Sequence, residues 1–163
     1  MAKIEAVSLS KQITEQIDHW LAKYPADQRR SAVLPALHIV QDEHGYLTKT
    51  LIQAVADYLR IPAIQVYEAA TFYSMYDHKP AGKHKINVCT NISCKLRNSA
   101  KIMNHLQAKL GIKPGEVTAD GKFGLKEVEC LGACVGAPMM QVNKDYHENL
   151  TPERVDEILD GLE

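Results

Sequence analysis

Apolar residues recur at three- and four-residue spacing through the first half of this chain, and the pattern changes character after residue 82. Ile13, Ile17, Trp20, Leu21 and Tyr24 form one stripe behind Ser8 or Ser10 as cap, and Tyr24-Pro25 predicts the end of that helix. A second helix is expected from about Asp27 to Gly45, with Val33, Leu37 and Val40 on one face and a kink at Pro35. Thr48 caps a third, striped by Leu51, Ile52, Val55 and Leu59, and Pro62 suits the first turn of a fourth that runs to about Ala70. Their short connections predict antiparallel neighbours, a small helical bundle over residues 1–81. The aromatic run Phe72-Tyr73-Ser74-Met75-Tyr76 reads as extended, and as core ahead of a partner-facing patch.

Beyond Pro80-Ala81-Gly82 the chain alternates. Lys85-Ile86-Asn87-Val88 predicts a strand that delivers Cys89 at its end. A helix opening at Ser93 or Cys94 buries Leu96, Ala100, Met103, Leu106 and Leu110, and Gly111 closes it. Asp120-Gly121 predicts a hairpin between two short strands, the second of which, Phe123 to Glu129, delivers Cys130. Pro138 to Val142 is a further strand, and Thr151-Pro152-Glu153 starts a final helix with Val155, Ile158 and Leu159 inward. The fold class is therefore α+β: a helical bundle over 1–81, then a thioredoxin-like arrangement over 82–163 with both cysteine pairs in loops at strand ends.

Composition narrows the function. With Lys+Arg 19 against Asp+Glu 20 and no basic run, the chain has no electrostatic footprint for nucleic acid or an anionic membrane. Its longest apolar stretch, Ala32 to Val40, holds Pro35 and His38 and is too short to span a bilayer. The first residues lack the apolar core of a secretion signal, so a reducing compartment is expected, in which close cysteine pairs serve as metal ligands or redox groups. The sequons at Asn91 and Asn149 then read as chance matches. No G-x-G-x-x-G, P-loop or Ser/His/Asp set appears, and the seven histidines form no ligand pairing, so no nucleotide, flavin or quinone site is visible in this chain.

All four cysteines lie in two tight pairs, Cys89-Thr-Asn-Ile-Ser-Cys94 and Cys130-Leu-Gly-Ala-Cys134. Four thiolates from two loops suit a [2Fe–2S] cluster, most simply with one pair per iron, or a single structural zinc. Zinc ribbons mostly use two-residue spacers, and neither pair has one; a thiol–disulfide enzyme would want Cys-x-x-Cys. Spacing favours iron–sulfur and leaves zinc open. Gly132 and Gly136 would let a loop close over such a site, a helix opening near Cys94 would aim its N-terminus inward, and Lys95 and Arg97 would favour the reduced state if near. An all-thiolate cluster of this type has a low potential, roughly −400 mV in plant-type ferredoxins.

The flanks of these pairs carry a family resemblance. Cys89-Thr-Asn-Ile-Ser-Cys94 with Leu96-Arg97, Asp120-Gly121-Lys122-Phe123, Glu127-Val128-Glu129-Cys130-Leu131-Gly132-Ala133-Cys134, Ala137-Pro138-Met139-Met140 and Asn149-Leu150-Thr151-Pro152-Glu153 closely resemble the NuoE family. These are the thioredoxin-like [2Fe–2S] subunits of bacterial respiratory complex I, NADH:quinone oxidoreductase. Ala70-Thr71-Phe72-Tyr73 and the helical part join the likeness; Val135 departs from the Gly or polar residue of several relatives. The resemblance implies one [2Fe–2S] cluster held by Cys89, Cys94, Cys130 and Cys134. It also implies one-electron exchange with the FMN of a NuoF-like partner that binds NADH and carries a [4Fe–4S] cluster, with the N-terminal helices docking on it and the aromatic run facing it. The implied location is the cytoplasmic side of the inner membrane, peripheral through the complex. Soluble NAD-linked hydrogenases and formate dehydrogenases use similar small chains and remain the alternative host.

Overall fold

The computed structural model describes residues 8–162, so the reading of the first seven residues as lacking a secretion signal lies outside the described part. The chain divides between Pro80 and Ala81 into two compact units. Among the described residues no helix is long and apolar enough to cross a membrane.

The first unit is helical. Ser10 caps α1 (Lys11–Leu21) by accepting the Ile13 N–H, and Thr48 caps α3 (Lys49–Leu59) by accepting that of Leu51. Between them lie a 3₁₀ turn at Arg29–Ala32 and α2 (Val33–His44); α4 (Ala63–Phe72) follows. Ile13, Ile17, Leu37, Val40, Ile52, Val55, Leu59 and Val66 are completely or almost completely withdrawn from water and form one core. Each such side chain contributes about 1.5–3 kcal/mol of hydrophobic stabilisation.

Three expectations for this half are corrected. Pro35 does not kink a long helix: it is the third residue of α2, where a missing N–H leaves no intrahelical bond unmade, and the backbone instead changes from 3₁₀ to α at Val33. Pro62 stands one residue before α4 as its N-cap. Thr71-Phe72 is helical, since Thr71 Oγ1 donates back to Tyr67 O at 2.8 Å and holds the last turn. The aromatic run therefore splits. Tyr76 is buried and donates its hydroxyl to Leu34 O at 2.9 Å, whereas Phe72 is 78% exposed.

The second unit is a four-stranded sheet with helices. In spatial order the strands are β2 (Phe123–Val128), β1 (His84–Cys89), β3 (Met140–Val142) and β4 (Asp145–His147). β1 pairs parallel with β2, Cys89 opposite Val128, and antiparallel with β3. Ile86 and Val88 of β1 meet Leu125, Met140, Ile102, Leu106, Val155 and Leu159 in the core. The last four come from α6 (Ser99–Leu110) and α7 (Pro152–Asp160), the latter capped by Thr151.

Two further predictions need revision. The single helix expected after Cys89 is two: α5 (Ile92–Leu96), capped by Asn91, and α6, separated by Asn98 in the left-handed region at φ 66°. Leu96, 79% exposed, and Ala100, also exposed, leave the buried stripe, while Ile102 enters it. The Asp120-Gly121 turn forms, with Asp120 Oδ1 accepting the Lys122 N–H, but only one flanking strand develops; the other reduces to a bridge between Val117 and Gly124.

Candidate metal centre

Parallel pairing of β1 and β2 brings the two cysteine loops out at the same end of the sheet. Cys89 is the last residue of β1, and Thr90 N–H still bonds Val128 O, two residues before Cys130. Cys94 lies inside α5, whose cap, Asn91 Oδ1, accepts the Ile92 N–H at 2.6 Å. Cys94 is thus carried within a five-residue helix, where the pattern predicts a helix opening at Ser93 or Cys94. Cys130 follows β2, and Cys134 begins a 3₁₀ turn, Cys134–Gly136.

The four thiols are all free of disulfides and fall into two environments: Cys89 and Cys94 are buried, 3% and 1% exposed, and Cys130 and Cys134 are exposed. Burial pushes the Cys94 thiol up to about 11, reinforced by the adjacent Cys89 thiol, opposed by a hydrogen bond from the Met139 backbone, and raised further by the charges of Cys89 and Cys134. Cys94 is therefore side by side with Cys89 and within electrostatic reach of Cys134. Among the described residues no three His, Cys, Asp or Glu side chains gather at a single-ion site.

Backbone groups already point at the sulfurs. Gly132 N–H donates to Cys130 Sγ at 3.4 Å, with Gly132 at φ 79°, a conformation that favours glycine. Such donors offset the cost of holding anionic sulfur away from water. Cys89 Sγ faces Glu129 O at 3.8 Å, across the two loops. Gly136 acts differently from the loop-closing role expected of it: a Cβ there would run into the Glu148 side chain. Val135, between Cys134 and Gly136, is 94% exposed.

Two residues brace the site in ways that the sequence motifs assign to neither, although Met139 lies within one of them. Tyr146, on β4, donates its hydroxyl to Leu131 O at 2.7 Å and ties down the second cysteine loop. Met139 is buried against Cys89, Cys94 and Ala137. The Asn143-Lys144 turn between two alternating triplets is the available signal for β4. The histidines lie elsewhere: His105 bonds Asp156, His78 bonds Ala70 O, and His84 is buried against Phe123.

A donor set of four free thiols on two neighbouring loops, with an N–H group aimed at sulfur, fits an iron–sulfur group. The chain belongs to the thioredoxin-like [2Fe–2S] ferredoxin family, whose model matches residues 17–163. Its cofactor is one [2Fe–2S] cluster, which sets the zinc reading aside. More particularly, the chain is 47% identical over 161 residues to the E subunit of NADH-quinone oxidoreductase from Rickettsia bellii, covering 98% of this chain and 96% of that protein. It is also 47% identical over 148 residues to the second E subunit of NADH-quinone oxidoreductase from Rhizobium meliloti, covering 91% and 87%. Among solved structures, a chain of an NAD+-reducing [NiFe]-hydrogenase superposes with a TM-score of 0.69 at 23% identity. That match covers 80% of this chain and 22% of the other, and it speaks for the fold alone.

Proposed function

We propose that this chain is the [2Fe–2S] subunit of an NADH:quinone oxidoreductase, holding its cluster through Cys89, Cys94, Cys130 and Cys134. The observation that carries the reading is the near full-length 47% identity to a relative that is itself part of such an enzyme, joined to four free thiols on adjacent loops. When bound, a [2Fe–2S] cluster supplies one-electron exchange without a general acid or base. The chain's own contribution is to bind and to shield. Cys89 and Cys94 would hold the group from the buried side, packed with Met139 and Ala137, and Cys130 and Cys134 would hold it from the exposed loop.

That asymmetry supports an electron partner on the Cys130–Cys134 side. The proposed partner is a NuoF-like subunit with FMN, NADH and its own [4Fe–4S] cluster, with the helical unit docking on it through surface that includes exposed Phe72, Tyr73 and Met75. The resemblance to the NuoE family implies a cluster beside the main route to quinone, where the four cysteines would hold a store for one electron rather than a relay. The assembly would place the chain on the cytoplasmic face of the inner membrane. A soluble NAD-linked hydrogenase or formate dehydrogenase is the second host; its support is fold similarity at 23% identity, against 47% for the Rickettsia bellii relative. Iron and acid-labile sulfide analysis with EPR before and after dithionite tests the cofactor, and co-purification of membrane subunits tests the host. A colourless, EPR-silent chain holding one zinc would refute the redox reading.

A further inference from the structure

One residue behind the cysteine loops touches both. Arg97 ends α5, and its backbone N–H donates to Cys94 O at 3.1 Å. Its Nη1 donates to Ala137 O at 3.3 Å, and Ala137 N–H donates in turn to Cys134 O at 3.3 Å. Ala137 itself packs with Cys89, Cys94 and Met139. The guanidinium is thus anchored on the residue that adjoins the buried thiols and is bonded to the loop of the exposed ones. It also lines a cleft of 270 Å³ with Lys101, Pro138 and Thr151. Arginine stays charged at any working pH, and its planar fork holds position on a carbonyl better than a flexible ammonium does.

We propose that Arg97 tunes the reduction equilibrium at this centre, by fixing a positive charge beside the cysteine-bound group through the Ala137 carbonyl. The inference rests on the [2Fe–2S] reading. On reduction one electron enters and no bond to the chain is made or broken, so one added negative charge is all the surroundings must accommodate. A fixed cation favours the more negative state and raises the potential. Arg97 is a positioning residue here, acting through field and strap. Lys95, in α5, and Arg97, its C-cap, are both exposed; what distinguishes Arg97 is its hydrogen bond to Ala137 O.

The test is an EPR-monitored potentiometric titration with dithionite of the full-length, cluster-loaded chain and its R97Q, R97K and K95Q variants. R97Q keeps an N–H donor for Ala137 O and loses the charge. Its reduction equilibrium constant is expected to fall about threefold, ~28 mV at 59 mV per decade for one electron. R97K and K95Q are expected to stay within twofold of the parent. A fully loaded R97Q within twofold of the parent overturns the proposal, as does a fall in R97K or K95Q equal to that of R97Q. Should R97Q assemble no cluster, R97M decides in its place: a fall of about threefold supports the proposal, and a constant within twofold of the parent overturns it. A parent chain without iron, sulfide and an EPR signal would instead overturn the cofactor reading beneath.

Discussion

Gly82 and Gly124 press backbone against backbone at the start of the two parallel strands. A Cβ at Gly82 would stand 2.6 Å from Gly124 N, and one at Gly124 would strike the Ala81 carbonyl. Neither obstacle is a side chain that can swing away. Gly124→Ala is therefore expected to destabilise the second unit by about 1–3 kcal/mol, the usual cost of overpacking. Urea unfolding followed by circular dichroism measures it; an unchanged midpoint would show that the strands separate freely here.

Replacing any of Cys89, Cys94, Cys130 or Cys134 by alanine is expected to abolish or degrade the cluster, read as iron, sulfide and EPR intensity per chain. His44→Ala and His105→Ala should leave all three intact, because His105 is engaged with Asp156, and His44 ends α2. A normal spectrum from Cys130→Ala would break the four-cysteine assignment.

In the metal-free chain the thiols should differ in reactivity. Thiolate is the nucleophile, and a Cys94 thiol held up at about 11 stays protonated at neutral pH besides being buried. Iodoacetamide at a pH of about 7.5, below the ordinary thiol range, should label exposed Cys130 and Cys134 first and Cys94 last, as mass spectrometry of timed samples would show. The raised value also means that the folded chain holds this proton where the unfolded chain loses it. The associated stability is complete below the ordinary thiol range and is lost as pH climbs toward 11.

α6 and α7 are joined by polar contacts: His105 Nε2 is 2.8 Å and Lys109 Nζ 3.0 Å from Asp156 Oδ1, and Lys109 also reaches Asp160 at 2.9 Å. The His105 hydrogen bond first, and that of Lys109 second, hold the Asp156 carboxyl below its usual range. A depressed carboxylate contributes stability above its unfolded pKa, and that contribution disappears as pH falls through the folded one. Asp156→Asn should accordingly lower the thermal midpoint at neutral pH and converge with the parent in strong acid. Parallel melting curves from neutral pH down into strong acid would expose any other dependence.

Removing residues 1–81 should spare the cluster, since the second unit keeps its own core of Ile86, Val88, Leu106, Met140 and Val155. The truncated chain should lose capture by the flavin subunit. Pull-down equal to that of the full chain would remove the docking role from the helices.

Much of this is legible in the sequence because it depends on local chemistry. Thr48, Thr151 and Gly111 mark helix ends by side-chain capping or left-handed backbone, and all three stand where the structure uses them. The stripe of α3 is equally plain, from Leu51 to Leu59. What escapes depends on tertiary context. Leu96 matches the period of its neighbours, yet Asn98 turns the chain between α5 and α6 and rotates that register out of the core. β4 has three residues and an exposed face, so its pairing with β3 supplies what its sequence does not. At the site, the cysteine pairs announce ligands and Arg97 announces a charge, but the brace Tyr146 and the anchoring of Arg97 become visible only when distant carbonyls, Leu131 O and Ala137 O, arrive beside them.

Because β1 and β2 run side by side in the same direction, the places where the two cysteine segments emerge are set by the ladder from His84–Phe123 to Cys89–Val128. The intervening crossover has only to return the chain to the starting line. That return is itself fastened to the ladder, because Gly115 N–H donates to Leu125 O of β2 at 2.7 Å, so a change of length in the crossover is absorbed only outside the stretch that this bond pins.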